Sequence, residues 1–352
     1  MRVGILTFHT VANPGAYLQA YATMKTLEEI GHEAVLIDYT NWRHRYSPWS
    51  FPLLHPRTFL THPRTWMMIH QRERAFAKCQ KYLNKTSRFV RRSAVSSDAF
   101  DAIVVGSDIV WNYEGRALGR DPIYFGIDLH APRLIAFAPS CGNVNLSRPV
   151  PKYVRMGLPR FHAIAVRDDR TADLVERVIG RRPQLIADPT FGLTLEGLPE
   201  VHTFKEEYLM VYGISATVDT ETQKAVSAFA REKRLKTVAV CYPHDWVDEN
   251  CDSANPFEWL GRMQCARYVF TTALHGTAFA LKLGKPFALR YSPQMESKIH
   301  PVIDALGRQD RVCSDARQLA HVLETPWDCP STRKAMDAMA DEARKYLEHA
   351  LA

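Results

Sequence analysis

The 352-residue chain lacks several features that would narrow its class at once. No apolar run reaches the ~18 residues that a membrane-spanning helix needs, so no span is expected. Its seven cysteines (Cys79, Cys141, Cys241, Cys251, Cys265, Cys313, Cys329) are odd in number, scattered and never spaced as C-x-x-C. That pattern supports neither a disulfide framework nor a structural zinc, and points to buried thiols acting as small apolar groups. A G-x-G-x-x-G fingerprint, a Walker loop, an internal repeat and a low-complexity tract are all missing. The opening MRVGILTF reads as a strand and not as a leader, so a cytoplasmic location is expected.

What is there is ordinary for a globular protein, with 46% hydrophobic and 24% charged residues. The length suits two domains, each with its own core. A formal charge of +7 favours anionic partners: phosphates, acidic sugars, nucleic acid or a membrane surface. No nucleic-acid motif accompanies the charge, so a nucleic-acid partner is not expected.

Periodicity gives the organisation. Val3 to Phe8 is a short apolar strand, and Asn13-Pro14 caps a helix over 16–30 that ends at Gly31. A buried strand follows at 34–38, making a β-α-β unit. Residues 41–95, with Trp42, Trp49, Trp66 and many arginines and histidines, read as a basic aromatic excursion from the sheet with a polar helix near 66–84. Strands are expected at 102–105, 134–137, 163–166, 184–187, 208–212, 237–240, 268–271 and 286–289. Helices are expected near 169–179, 220–234, 255–265 and 277–283, with a last amphipathic helix from 331. Such alternation predicts two doubly wound, Rossmann-like α/β domains facing across a cleft. We expect an N-terminal domain over 1–160, a C-terminal domain over 161–330 and a C-terminal helix over 331–352.

In doubly wound sheets, ligands gather at the carboxyl ends of strands, so polar or glycine residues there are informative. Four such places occur. His9 to Gly15, with Asn13 and then Gln19, suits either a close-approach loop or an ordinary capped turn. Gly106-Ser107-Asp108, followed by Trp111-Asn112, suits a sugar site or a turn with a packed tryptophan. Ser140-Cys141-Gly142 and Arg167-Asp168 suit an anion site or a surface ion pair. Finally, His275-Gly276-Thr277 opens an almost wholly apolar helix, where the imidazole either packs or exchanges protons near neutral pH.

Three ordered blocks resemble the polysaccharide pyruvyl transferase family: GILTFHTVANPGAYLQAYATMKTLEEIGHEAVLIDY, FDAIVVGSDIVWN and NPFEWLGRMQCARYVFTTALHGTAFALKLGKPF, the last followed by the similar ESKIHPVIDALGRQDRV. The resemblance implies a GT-B-like fold and transfer of the enolpyruvyl-derived group of phosphoenolpyruvate onto sugar hydroxyls, giving a pyruvate ketal. It implies catalytic roles for His275 and Arg167, and donor contacts from Gly276, Thr277, Arg290, Ser140 and Gly142. On the acceptor side it implies His9, Asn13, Gly15, Gln19, Ser107, Asp108, Trp111 and Asn112. Some members carry an arginine two residues before the histidine. Here Ala273 stands in that place, so the anion contact is expected from Arg167, Lys282 or Arg290. No metal and no cofactor is expected. The acceptor would be a sugar or a lipid-linked oligosaccharide, with peripheral contact at an anionic inner membrane face. A glycosyltransferase using a nucleotide-sugar on the same scaffold is the competing reading.

Overall fold

The computed structural model describes residues 1–41, 63–115, 120–199, 204, 206–291 and 296–352. Two compact units divide it. The first comprises Met1–His70, Phe76–Leu193 and Ala338–Ala352; the second comprises Gln71–Ala75 and Thr194–Asp337.

In the first unit the strands are β1 (Arg2–Leu6), β2 (Glu33–Leu36), β3 (Ala102–Val105), β4 (Arg133–Phe137), β5 (Ala163–Val166) and β6 (Gln184–Leu185). They form a parallel sheet in the order β2-β1-β3-β4-β5-β6. The order reverses between β1 and β3, which makes the carboxyl ends of those strands the topological switch point. All four residues of β3 are fully buried, as a central parallel strand covered on both faces requires. Helix α1 (Pro14–Glu29) starts where Asn13 Oδ1 accepts from Ala16 N at 3.1 Å, with proline at the first helical position. It is buried on almost every side because the turn Pro189–Phe191 packs on it as well as the sheet.

Helix α2 (Pro63–Cys79) is followed by a single 3-10 turn, and α3 (Lys152–Gly157) precedes β5. Helix α4 (Asp169–Ile179) begins at Asp168, which accepts from Thr171 N, and ends at Gly180 with φ +80°. Residues 338–352 return to this unit, where the Tyr346 ring stacks on Phe137 at 6.4 Å and its hydroxyl donates to Ala136 O.

In the second unit, β7 (Tyr208–Tyr212), β8 (Lys236–Val240), β9 (Glu249–Cys251), β10 (Tyr268–Thr271) and β11 (Phe287–Leu289) form a parallel sheet ordered β11-β10-β7-β8-β9. Here the order reverses between β7 and β10. The helices are α5 (Thr220–Glu232), α6 (Pro256–Cys265), α7 (Leu274–Lys282), α8 (Glu296–Ala305) and α9 (Leu319–Glu324), while α10 (Cys329–Leu351) starts in this unit and belongs to the first from Ala338 on. Asp219 and Asn255 cap α5 and α6 through their side-chain oxygens. The fully buried Arg311 closes the other end of α9, donating to Val322 O and Thr325 O at 2.9 and 3.0 Å.

The α/β class and the two parallel sheets agree with the sequence reading, while its boundaries need correction. Strands β5 and β6, which we expected to open the second domain at 161, hydrogen-bond into the first sheet, and the units divide after Leu193. Alternation of strand and helix shows that a sheet continues, but not which sheet receives the next strand. Helix α7 begins at Leu274, not at 277, so His275 and Gly276 lie within its first turn. Residues 42–62, most of the basic aromatic stretch, lie outside the described residues. Residues 84–89, expected within the excursion, instead run beside β2, with parallel bridges Leu36 to Lys85 and Tyr39 to Phe89. Among the described residues no helix is long and apolar enough to cross a membrane.

Candidate functional site

At the switch point of the first sheet a buried polar network ties the strand ends together. Thr7, just past β1, donates to Ser107 O at 3.0 Å and accepts from Gln19 Nε2 at 2.9 Å. Ser107 N donates to Gln19 Oε1 at 3.1 Å, so the α1 glutamine reads both strand ends. Gly106 has φ +114°, and a Cβ there would lie 3.1 Å from Pro139 N and even closer to Phe137 O; only glycine lets the chain turn here. The buried Arg167 then closes the group. Its Nη1 donates to Asp188 Oδ2 at 2.5 Å and to Ser107 Oγ at 3.3 Å, and Nη2 lies 3.7 Å from Asp108 Oδ1. Burial would lower the guanidinium pKa, but Asp188, Asp108 and Asp168 outweigh it and raise it.

A second cluster stands beside this one. His9 is fully buried, with Nδ1 3.2 Å from Thr7 O and Nε2 3.6 Å from Asp38 Oδ1. Lys85 and Arg88 also reach Asp38, at 3.2 and 3.1 Å. Burial alone would raise the Asp38 carboxyl; the adjacent His9 ring and the hydrogen-bonded Arg88 guanidinium hold it well below the usual carboxylate range.

In the second sheet the switch point carries Gly213 after β7 and Thr272 to Gly276 after β10. Thr271 Oγ1 donates to Tyr212 O and accepts from Ala273 N, which fixes the exit of β10. Ala273 is the N-cap of α7 and supplies no side-chain cap, so the first-turn amides of Leu274, His275 and Gly276 begin the helix without one. The His275 side chain is half-buried at the second helical position. Arg290, just past β11 on the same sheet edge, reaches Asp219 at 2.9 Å and the Ser314 carbonyl at 3.4 Å. Nearby His244 is buried and used at both nitrogens: Nε2 lies 2.9 Å from Gly213 O, and Nδ1 accepts from Trp246 Nε1 at 3.1 Å. Burial lowers its pKa, which suits a neutral structural imidazole.

The structure sorts the expected site residues differently from the sequence. His9, Gln19, Ser107 and Asp108 come together at the first switch point. Asn13 is there as the α1 cap, and Gly15 as a buried residue of its first turn. Trp111 is no exposed platform for a sugar: it is fully buried, stacks on Phe125 at 5.8 Å and donates to Tyr124 O. Asn112 holds a turn by accepting from Glu114 N and Gly115 N.

Ser140 and Gly142, expected on the donor side, belong to the first unit. There Ser140 N donates to Asp108 O at 2.8 Å, and Gly142 N donates to Ser140 Oγ at 3.0 Å. Arg167, expected as a catalytic residue holding the donor anion, is a first-unit residue committed to Asp188 and Asp108. Lys282 lies seven positions along α7 from His275, about 10 Å down the helix axis, so it is not a partner for the histidine's end. Arg290 is the one of the three expected cations that stands on the strand-end edge of the second sheet with His275. The sequence reading missed Asp188, Asp38, Thr7 and His244. Asp188-Pro189-Thr190 follows β6 as a polar strand end of the kind inspected elsewhere, so the same rule would have found it.

Gly276 also has a different reason for being glycine. A Cβ there would lie 2.7 Å from Tyr212 Cδ1 and deeper still inside Thr271 Oγ1, so the missing side chain lets α7 close on the ends of β10 and β7. Thr277 is likewise inward, its hydroxyl donating to Ala273 O at 3.0 Å. Gly276→Ala is expected to cost about 1–3 kcal/mol through overpacking. Thermal unfolding checks this, and an unchanged melting temperature would show that the helix can shift aside freely.

Two doubly wound units with parallel sheets make this a two-domain α/β enzyme fold of the GT-B type. Solved structures share it: UDP-GlcNAc 2-epimerase from Neisseria meningitidis bound to UDP-GlcNAc (TM-score 0.54, 10% identity, 100% of this chain and 99% of that one) and the Methanocaldococcus jannaschii UDP-GlcNAc 2-epimerase in complex with UDP-GlcNAc and UDP (0.51, 11%, 97% and 99%). A Thermobaculum terrenum O-GlcNAc transferase mutant also matches (0.50, 10%, 99% of this chain), and this chain spans 66% of its length. At such identities the likeness is one of fold. No curated protein matches the sequence. The family model for polysaccharide pyruvyl transferase matches residues 13–291, and the chain belongs to that family, a family of transferases.

Proposed function

We propose that the protein transfers the enolpyruvyl-derived group of phosphoenolpyruvate to two hydroxyls of a surface-polysaccharide precursor, forming a cyclic pyruvate ketal and releasing phosphate. The observation that carries this reading is the second switch point. There a half-buried histidine in the first turn of α7, uncapped helix amides and Arg290 share one strand-end edge. A donor with both a phosphate and a carboxylate needs a helix N-terminus and a cation. Arg290 suits the cation role better than Arg167: its side chain is 23% exposed against 6%, and Arg167 already serves two carboxylates.

In this reading the His275 imidazolium gives a proton to the methylene carbon of the enol, and positive charge develops at the neighbouring carbon. A sugar hydroxyl attacks that carbon and returns a proton to the imidazole. The carbon–oxygen bond to phosphate then breaks, and the second hydroxyl attacks the same carbon. Of the two hydroxyl protons, one ends on the new methyl group and the other on the departing phosphate. The acceptor is a sugar or lipid-linked oligosaccharide, met at an inner membrane face toward which the basic chain is drawn.

Separate calorimetric titrations with phosphoenolpyruvate and UDP-GlcNAc test the donor. Saturable binding of phosphoenolpyruvate that weakens about tenfold or more in Arg290→Gln is expected. Saturable UDP-GlcNAc binding with none of phosphoenolpyruvate would replace this reading with nucleotide-sugar glycosyl transfer.

A further inference from the structure

The first unit also contains a cavity that neither switch point uses. It has a volume of about 420 Å³, and its walls include Tyr39, Arg91, Arg92, Arg120, Asp121 and Asp128. Tyr39 lies just past β2, and 120–128 belong to the connection from β3 to β4. The cavity therefore draws on segments that follow strand carboxyl ends, where doubly wound sheets take their ligands. Its volume falls in the range of small-molecule sites, about 300–1,000 Å³.

Its charges are unevenly matched. Asp121 is buried and occupied, accepting from the Tyr39 hydroxyl at 2.6 Å and from Ile123 N at 3.3 Å. Arg92 lies 3.5 Å from Asp128. Among the described residues, no acidic side chain lies within ion-pair distance of Arg91 or Arg120. Among the described residues, Arg91 and Arg120 thus line the cavity with no carboxylate of their own, beside Arg92, which has Asp128. Arg120 and Asp128 also hold left-handed backbone conformations, φ 62° and 65°, which cost energy in residues other than glycine and are kept where the surrounding structure demands them.

We propose that this cavity binds the phosphate ester of a phosphorylated saccharide. Guanidinium forks match phosphate oxygens, and three around one cavity suit a doubly charged ester better than a carboxylate. Asp128 and the Tyr39 oxygen offer acceptors for sugar hydroxyls, because Tyr39 spends its proton on Asp121. That the saccharide is the acceptor of pyruvyl transfer rests on the function proposed above; that the cavity takes a saccharide phosphate does not.

The test reads binding, so failure of the pyruvyl-transfer reading leaves it intact. Glucose 1-phosphate is titrated calorimetrically into the full-length protein, an Arg91→Gln/Arg120→Gln variant and Arg290→Gln. Cosedimentation with phosphatidylglycerol vesicles runs in parallel. We expect saturable binding that weakens about tenfold or more in the double variant and persists in Arg290→Gln. Both substituted arginines are exposed, and circular dichroism confirms that the variant folds. Absence of binding by the unaltered protein overturns the proposal, as does equal binding by the double variant or loss confined to Arg290→Gln. Vesicle capture without glucose 1-phosphate binding overturns it in favour of a membrane headgroup.

Discussion

Removing the carboxylate of Asp188 is expected to destabilise the first unit by about 3–5 kcal/mol, the cost of leaving a buried charge without its partner. Arg167 and Asp188 are 6% and 4% exposed at 2.5 Å, so water cannot take over for either one. Asp188 also accepts from Thr190 N and Oγ1 at 3.1 and 2.7 Å, which holds the turn that packs on α1. Asp188→Asn keeps an oxygen for Thr190 while losing the charge, so it isolates the ion pair; Asp188→Ala removes both and should be worse. Of the other acids near the guanidinium, Asp108 is 3.7 Å away and cannot replace a close contact. For a unit of this size the loss corresponds to a melting temperature lowered by about 10 °C. The double change Arg167→Met/Asp188→Leu should recover part of it, since an apolar pair leaves no orphaned charge. A single-variant loss below about 1 kcal/mol would mean that the pair is solvated or redundant.

The features that the sequence made legible are those set by local chemistry. Asn13-Pro14 and Asn255-Pro256 mark helix starts because a cap is made by residues two or three positions away. Buried strands such as Ala102–Val105 and Tyr208–Tyr212 declare themselves as short apolar runs. The partners at the strand ends were not legible. Ser107 finds Gln19 across 88 positions and Asp188 across 81, and no spacing rule joins them. Trp111 shows the same limit from the other side. An aromatic among hydrogen-bonding residues suits a sugar face or a core equally, and only its packing on Phe125 and Phe161 decides. Gly276 was noticed for the right reason, a need for no side chain, but the neighbour that requires it is Thr271 in the protein's own strand. Local rules thus locate the switch points, while long-range packing determines which residue at each is bound into the scaffold.

The proposed function gives the proton transfer to His275, so its replacement should have the largest effect on turnover. His275→Ala is expected to lower the rate of acceptor-dependent phosphate release from phosphoenolpyruvate by about 10²–10⁴-fold, the usual worth of a positioned general acid and base. Thermal unfolding of the variant separates loss of rate from loss of fold, and alanine, the best helix former, suits the first turn of α7. The contrast with His244 makes the prediction specific. His244 has both nitrogens engaged within the fold, so His244→Ala should lower stability through the lost contacts with Gly213 and Trp246. His275→Gln separates proton transfer from positioning, because an amide can hydrogen-bond the donor but cannot exchange a proton near neutral pH. If the role is proton transfer, the glutamine variant stays as slow as the alanine variant. Near-normal turnover in His275→Gln would instead make the histidine a binding residue and move the proton transfer to another group.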